Sequence, residues 1–302
     1  MTFVFIITGD NSQRRDRYRT AARAAMLSVR HFHPRDTTIC LCDQETEVSI
    51  LKSGKAWAGI LDDVIPCHDA EGGPTHRSRF IKTTLRRRLT GPFVFLDSDT
   101  FLLKDIEPLL ACNGDLGLTA DAFFTTAPGE FPTWARPLFR KYGWASNGRY
   151  FNSGVMFVAD TPDSHLLFDE WHERYEKAIA SGMLQDQPAF NASIEAVRPR
   201  IVEYPESFNF ICGVEPRQVP LSARLVHVIQ SRRTTTLPAY DCILNDLDRG
   251  APLTVEAMAH RLRMNPSQHH PEWHLLRVVI FKFRDIWRRS LPGSVRSYVR
   301  RR

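Results

Sequence analysis

The chain has 302 residues, 43% of them hydrophobic and 11% aromatic, with a formal net charge of +6. This is the apolar content of a packed globule, enough for one large α/β domain or two small ones, and it excludes a low-complexity chain. The charge is uneven: residues 272–302 carry nine Lys or Arg against two acids, a net of +7 that leaves −1 for the rest, so the body of the protein does not invite nucleic acid.

Residues 3–7 are an apolar run followed at once by Gly9-Asp10-Asn11, which reads as a first strand and its loop rather than a secretory leader. Residues 17–31 read as a helix closed by His33-Pro34. Residues 38–42 form a second strand, with Cys40 and Cys42 on one face as buried thiols, and residues 64–66 a short third. The six cysteines include no Cys-X-X-Cys pair, which fits a reduced, cytosolic setting. Residues 79–89 read as a basic amphipathic helix with Arg86, Arg87 and Arg88 solvated. Gly91-Pro92 then punctuate the start of a strand over 93–96. Residues 116–119 are a short apolar segment, 123–144 a long loop or lid, and 155–158 another strand. Pro162 opens a helix with Phe168, Trp171, Tyr175 and Ile179 on one face, and a further helix follows Gln185. Residues 225–227 are a late strand end. Strands alternating with helices imply a largely parallel sheet, and no uninterrupted apolar run reaches the ~20 residues of a membrane-spanning helix.

The strand over 93–96 delivers two carboxylates, Asp97 and Asp99, separated by Ser98. Carboxylates at the carboxyl end of a strand stand where open α/β sheets bind ligands. Two such oxygens suit a hard divalent cation, Mn²⁺ or Mg²⁺, that clamps a diphosphate. Asp246-Leu247-Asp248 has the same spacing without an apolar run before it, and reads as a solvated turn.

Ser78-Arg79-Phe80-Ile81-Lys82, then Phe95 to Thr100, then Tyr150-Phe151-Asn152-Ser153-Gly154, Gln185-Asp186-Gln187 and Val226-His227 occur in a recognisable order. Over residues 1–235 the chain resembles the A-type sugar-nucleotide glycosyltransferases, most of all family eight, which includes glycogenin and the bacterial lipopolysaccharide galactosyl- and glucosyltransferases. The resemblance implies an α/β fold of the nucleotide-diphospho-sugar transferase type, with a mostly parallel mixed sheet flanked by helices. The catalytic domain would span 1–250, its nucleotide half 1–110 and its sugar and acceptor half 111–250, with a basic helical tail over 251–302.

The resemblance also implies roles. Asp97, Asp99 and His227 would bind Mn²⁺ (or Mg²⁺), with Asp97 also near the donor ribose. Arg79 would meet the donor sugar or diphosphate, with Lys82 and Ser98 in the same donor site. Asn152, Asp186 and Gln187 would hold sugar hydroxyls, with Asp121 near that sugar. Thr8, Asp10 and Asn11 would meet the uracil base. Asp186 and Gln187 are the nearest candidates for a nucleophile if retention proceeds by double displacement. Taken singly, several of these residues have plainer readings. His227 reads as a core histidine, Asn152-Ser153-Gly154 as a turn, Asp186 as a helix cap, Arg79 as a solvated helix face, and Asp10 and Asn11 as turn formers. The chain departs from the family where a glycine and a phosphate-binding lysine usually follow the histidine: Val228-Ile229-Gln230-Ser231 come first, and Arg232 or Arg233 would substitute. A tyrosine usual after the first-strand acid is also missing.

The expected activity is metal-dependent transfer of a hexose from a UDP-sugar to a saccharide or glycolipid acceptor with retention. A nucleotidyltransferase, a phosphatase and a non-catalytic binding module are the alternatives. A dehalogenase-type phosphatase wants Thr or Val four residues after its first Asp, where this chain has Phe101. Trp273, Leu276, Ile280, Phe283 and Trp287 form one helical stripe flanked by Arg277, Arg284 and Arg288. This reads as an interfacial helix on an anionic membrane, on the inner face of which the enzyme would sit, or as a helix docked on the domain.

Overall fold

The computed structural model describes residues 1–9, 14–122, 129–145, 148–212, 218–229, 238–250 and 253–264. The expected tail helix, Asp10, Asn11, Arg232 and Arg233 lie outside these residues. In chain order the elements are β1 (Thr2–Ile7), α1 (Arg14–Phe32), β2 (Thr37–Cys42), α2 (Gln44–Lys52), α3 (Gly54–Trp57), β3 (Asp63–Pro66), α4 (Pro74–Thr83), α5 (Leu85–Arg88), β4 (Phe93–Leu96) and β5 (Thr100–Leu102). They continue with α6 (Glu107–Leu110), β6 (Leu116–Thr119), α7 (Arg136–Tyr142), β7 (Val155–Val158), α8 (Pro162–Ile179), α9 (Gln187–Val197), β8 (Ile201–Tyr204), β9 (Phe210–Cys212), β10 (Leu225–Val228), α10 (Pro238–Asp248) and α11 (Val255–Arg263).

Seven strands form one sheet in the order β3-β2-β1-β4-β7-β6-β8. Its pairs are parallel except at β7, which runs antiparallel to both β4 and β6. Alternate residues of each strand enter opposite cores. Val4, Ile6, Phe93, Phe95, Met156 and Val158 pack toward Phe168, Trp171 and Tyr175 of α8 and Phe190 of α9. Phe3, Phe5, Cys40, Cys42, Val94, Leu96, Val155 and Phe157 pack toward Ala22, Met26 and Val29 of α1. Each large side chain buried this way stabilises by about 1.5–3 kcal/mol. Cys40 and Cys42 thus share one buried face, as the strand alternation predicts. A second, three-stranded sheet, β5-β10-β9, closes one end and packs with α10 and α11. Among the described residues no helix is long and apolar enough to cross a membrane.

Four expectations change. The basic helix expected over 79–89 starts at Pro74, whose fixed φ favours the first helical position, and breaks at Thr84 into α4 and α5. Arg86 is 2% exposed rather than solvated, because its guanidinium donates to the carbonyls of Leu89, Gly91 and Ala159. The loop expected over 123–144 contains α7, ended by Gly143 in the left-handed region at φ 65°. Asp246 and Asp248 lie on a helix, not in a turn: Asp246 pairs with Arg261 at 2.5 Å and Asp248 accepts from Thr20.

Candidate active site

β1 and β4 are parallel neighbours, so Thr8 and Asp97 leave the sheet at the same edge. The antiparallel register Leu96↔Val155 sets Asp97 beside Gly154, and the Asp97 amide donates to the Gly154 carbonyl at 2.8 Å. The turn through Asp97, Ser98 and Asp99 leads into β5. There Thr100 pairs with His227 of β10, and the Val228 amide donates to the Asp99 carbonyl at 2.8 Å. A histidine 130 positions away along the chain is thereby placed on the two acids. Its Nε2 lies 3.2 Å from Asp99 Oδ1 and 3.8 Å from Asp97 Oδ2.

One ligand atom from each of Asp97, Asp99 and His227 falls within 4.8 Å of the others. Two carboxylate oxygens and one imidazole nitrogen are a donor set for Mn²⁺, less so for Mg²⁺, which prefers oxygen. The surroundings fit a dense ligand cluster. A Cβ on residue 154 would lie 2.4 Å from His227 Cε1 and 2.6 Å from Asp97 Oδ2, so only glycine clears the two side chains. Burial disfavours an imidazolium at His227, yet the Asp99 and Asp97 carboxylates outweigh it and raise its pKa. A divalent cation would take over the balancing of charge that the proton performs.

A second group of polar side chains faces the first. Asp186 is the N-cap of α9, but its side chain makes no capping hydrogen bond. Its Oδ1 lies 2.9 Å from Arg79 Nε and its Oδ2 3.5 Å from Lys82 Nζ. Burial would raise the pKa of this carboxyl, and the Arg79 and Lys82 charges instead hold it below the usual range. Asp186 in turn, against the opposing effect of burial, raises the pKa of Arg79. Trp171 Nε1 donates to the Asp186 carbonyl at 3.0 Å and fixes the start of α9 on α8. Gln187 bridges the sugar-side residues: Nε2 donates to Asp121 Oδ2 at 2.7 Å, and Oε1 accepts from Asn152 Nδ2 at 3.2 Å and from the Ser153 amide at 3.3 Å.

Both groups line one cavity of about 380 Å³. Thr8, Arg79, Lys82, Asp97, Ser98, Asp99, Asn152, Asp186, Gln187 and His227 all stand in its wall. Asp121 is fully buried and sits behind Asn152 and Gln187 as their acceptor. Thr8 donates to the Pro74 carbonyl at 2.9 Å, which ties the end of β1 to α4.

Sequence reasoning missed several residues here. Tyr18 and Trp134 line the mouth, 40% and 37% exposed. Nothing in their local patterns separates them from an ordinary helix tyrosine and loop tryptophan. Asn209 donates to Asn152 Oδ1 at 2.9 Å, and Asn191 clamps the Phe151 amide and carbonyl at 2.7 and 2.9 Å. Asp43 accepts from the Gly9 amide, the Thr46 amide and Arg77 Nε, which locks the exit of β1. Its place directly after an apolar strand was the available signal. A second cavity of about 510 Å³ lies away from this site, between α1 and α11, where His31 and Glu256 pair with each other at 3.3 Å.

The profile of the nucleotide-diphospho-sugar transferase family matches residues 74–225, half of the chain. That span contains Arg79, both acids of the Asp97 turn, Asn152 and Asp186, and stops two residues short of His227. Among solved structures, an active-site mutant of LgtC is 17% identical, with 84% of this chain and 97% of that chain covered at a TM-score of 0.56. The galactosyltransferase LgtC in complex with donor and acceptor sugar analogs is 16% identical, with 89% and 98% covered at 0.54. Mouse xyloside xylosyltransferase 1, in its apo form, is 13% identical, with 78% and 99% covered at 0.50. At such identities the likeness establishes the fold. No curated protein matches the chain in sequence.

Proposed function

Because the chain belongs to the nucleotide-diphospho-sugar transferase family and is a glycosyltransferase, we propose that it moves a hexose from a UDP-sugar to a saccharide or glycolipid acceptor, using a divalent cation, and with retention of configuration. The observation that carries this reading is the meeting of Asp97, Asp99 and His227 in the wall of the same cavity as Asn152, Asp186 and Gln187. A nucleotide diphosphate needs the first group and a sugar the second.

Asp97, Asp99 and His227 would hold the cation, and His227 favours Mn²⁺. When bound, the cation supplies Lewis-acid stabilisation of the diphosphate leaving group. Arg79 adds fixed positive charge beside it. Asn152 and Gln187 offer amide donors and acceptors to sugar hydroxyls, oriented from behind by Asp121. Asp186 is a poor nucleophile, because Arg79 and Lys82 both neutralise it and hold its electrons at low energy. Attack of the acceptor hydroxyl from the leaving-group face needs no covalent intermediate, and double displacement would fall to Gln187. Thermal unfolding with UDP, CDP or GDP, each with and without Mn²⁺, tests the donor site. Stabilisation that needs UDP and Mn²⁺ together supports it. No response to any nucleotide with metal would count against it. We also propose, from the Trp273 to Trp287 stripe and its arginines alone, that residues 272–302 contact an anionic membrane surface on its cytoplasmic side.

A further inference from the structure

Lys82 is an unusual residue for its place. It lies on α4, is 2% exposed, and stands between the metal-binding acid Asp97 and the sugar-side acid Asp186. An ammonium has three N–H donors. Here three acceptors surround it: Asp97 Oδ1 at 3.3 Å, Ser153 Oγ at 3.3 Å and Asp186 Oδ2 at 3.5 Å. The Phe95 ring lies 4.8 Å away on another side. Asp97 and Ser153 thus engage two of its N–H groups, and Asp186 lies at ion-pair distance from the same ammonium.

The two oxygens of Asp97 are therefore used differently. Oδ1 faces Lys82, and Oδ2 faces His227 and Gly154. We infer that Lys82 is a positioning residue. It restricts Asp97 to one-oxygen ligation of the cation, lowers the affinity of the site for metal alone, and couples that acid to Asp186 across the cavity. Two physical consequences follow. A fixed positive charge next to a cation site repels the cation, so metal binds weakly until the negative diphosphate arrives with it. And any shift of Asp97 on metal binding is felt at Asp186, which shares the same ammonium and holds Arg79.

This inference rests on the metal reading proposed above, and its test separates the two. Binding of Mn²⁺ to the full-length protein is measured by the electron paramagnetic resonance of free Mn²⁺, without nucleotide and again with UDP. Wild type is compared with Lys82→Met, which removes the charge at similar volume, and with Lys82→Gln, which also keeps donors for Asp97 and Ser153 should the methionine variant fail to fold. Lys82→Arg keeps the charge. We expect Mn²⁺ alone to bind the two neutral variants about tenfold tighter, by relief of like-charge repulsion, and Lys82→Arg to stay near wild type. In steady-state transfer the neutral variants should lose kcat with little change in donor KM. Unchanged Mn²⁺ affinity with a raised donor KM would make Lys82 a donor ligand and overturn the inference. Unchanged affinity with only a lower Tm would reduce it to a packing residue. A wild type that binds Mn²⁺ neither alone nor with UDP would remove the metal reading, and this inference with it.

Discussion

At the scale of single residues, the site is built by removing atoms as much as by adding them. Gly154 leaves the space that His227 and Asp97 fill. Gly154→Ala forces a methyl into that space, which costs about 1–3 kcal/mol of stability. It should also lower Mn²⁺ affinity and transfer by well over tenfold, as read by titration and initial rates. Asp99→Ala removes one of the three proposed ligands without touching either core, so it should abolish transfer while circular dichroism and Tm stay near wild type. Full activity in a folded Asp99→Ala protein would end the metal assignment. Asp186 supports a pH prediction. Its folded pKa is depressed by Arg79 and Lys82. Its contribution to stability is therefore fully present above the unfolded value of about 3.9, and is lost as pH falls through the lower folded value. Wild type should lose stability below about pH 4 more steeply than Asp186→Asn in acid titrations followed by fluorescence.

At the scale of elements, most of the strands were legible because buried strands are apolar runs: β1, β2, β4, β7 and the end of β10 are readable as such. β8 and β9 were not, since Ile201–Tyr204 has no fully buried residue and carries an exposed Glu203, and Phe210–Cys212 is only three residues long. The break at Thr84 was hidden because both halves share one basic pattern. The start of α8 was plain from Pro162, and the structure adds a reciprocal cap: the Thr161 hydroxyl accepts from the Ser164 amide at 3.3 Å, and the Ser164 hydroxyl accepts from the Thr161 amide at 3.2 Å. Thr161→Ala should cost about 1 kcal/mol in denaturant unfolding. It should leave donor KM unchanged, because the cap lies more than two helical turns from Trp171, the α8 residue that holds Asp186. A change in KM would show that the seating of α9 on α8 depends on that end.

At the scale of the whole molecule, two sheets converge on one point. The large sheet brings Thr8, Asp97 and Asn152 to one edge, and the small sheet swings His227 onto Asp99. The residues of α11 beyond position 250 pack against α1 and α10, with Met258 and Leu262 fully buried, so this helix is part of the same body. The proposed membrane contact belongs to this scale. The full chain should sediment with anionic vesicles at low salt and be released as salt rises, since charge attraction is screened within a Debye length of about 8–10 Å. A protein left wholly in the supernatant at low salt would refute it.

The sequence by itself determined the class of fold, the acid pair and the order of the motifs, because buried strands and the residues that end them are local patterns. The tertiary structure alone decided which side chains face one another. His227 reaches Asp97 and Asp99 by the pairing of β10 with β5, not by any feature of its neighbours. Asp186 serves the cavity rather than its own helix because two cations from α4 reach it. Arg86 is buried because three carbonyls converge on it. Each of these depends on distances between segments far apart in the chain, and a one-dimensional pattern does not carry such distances.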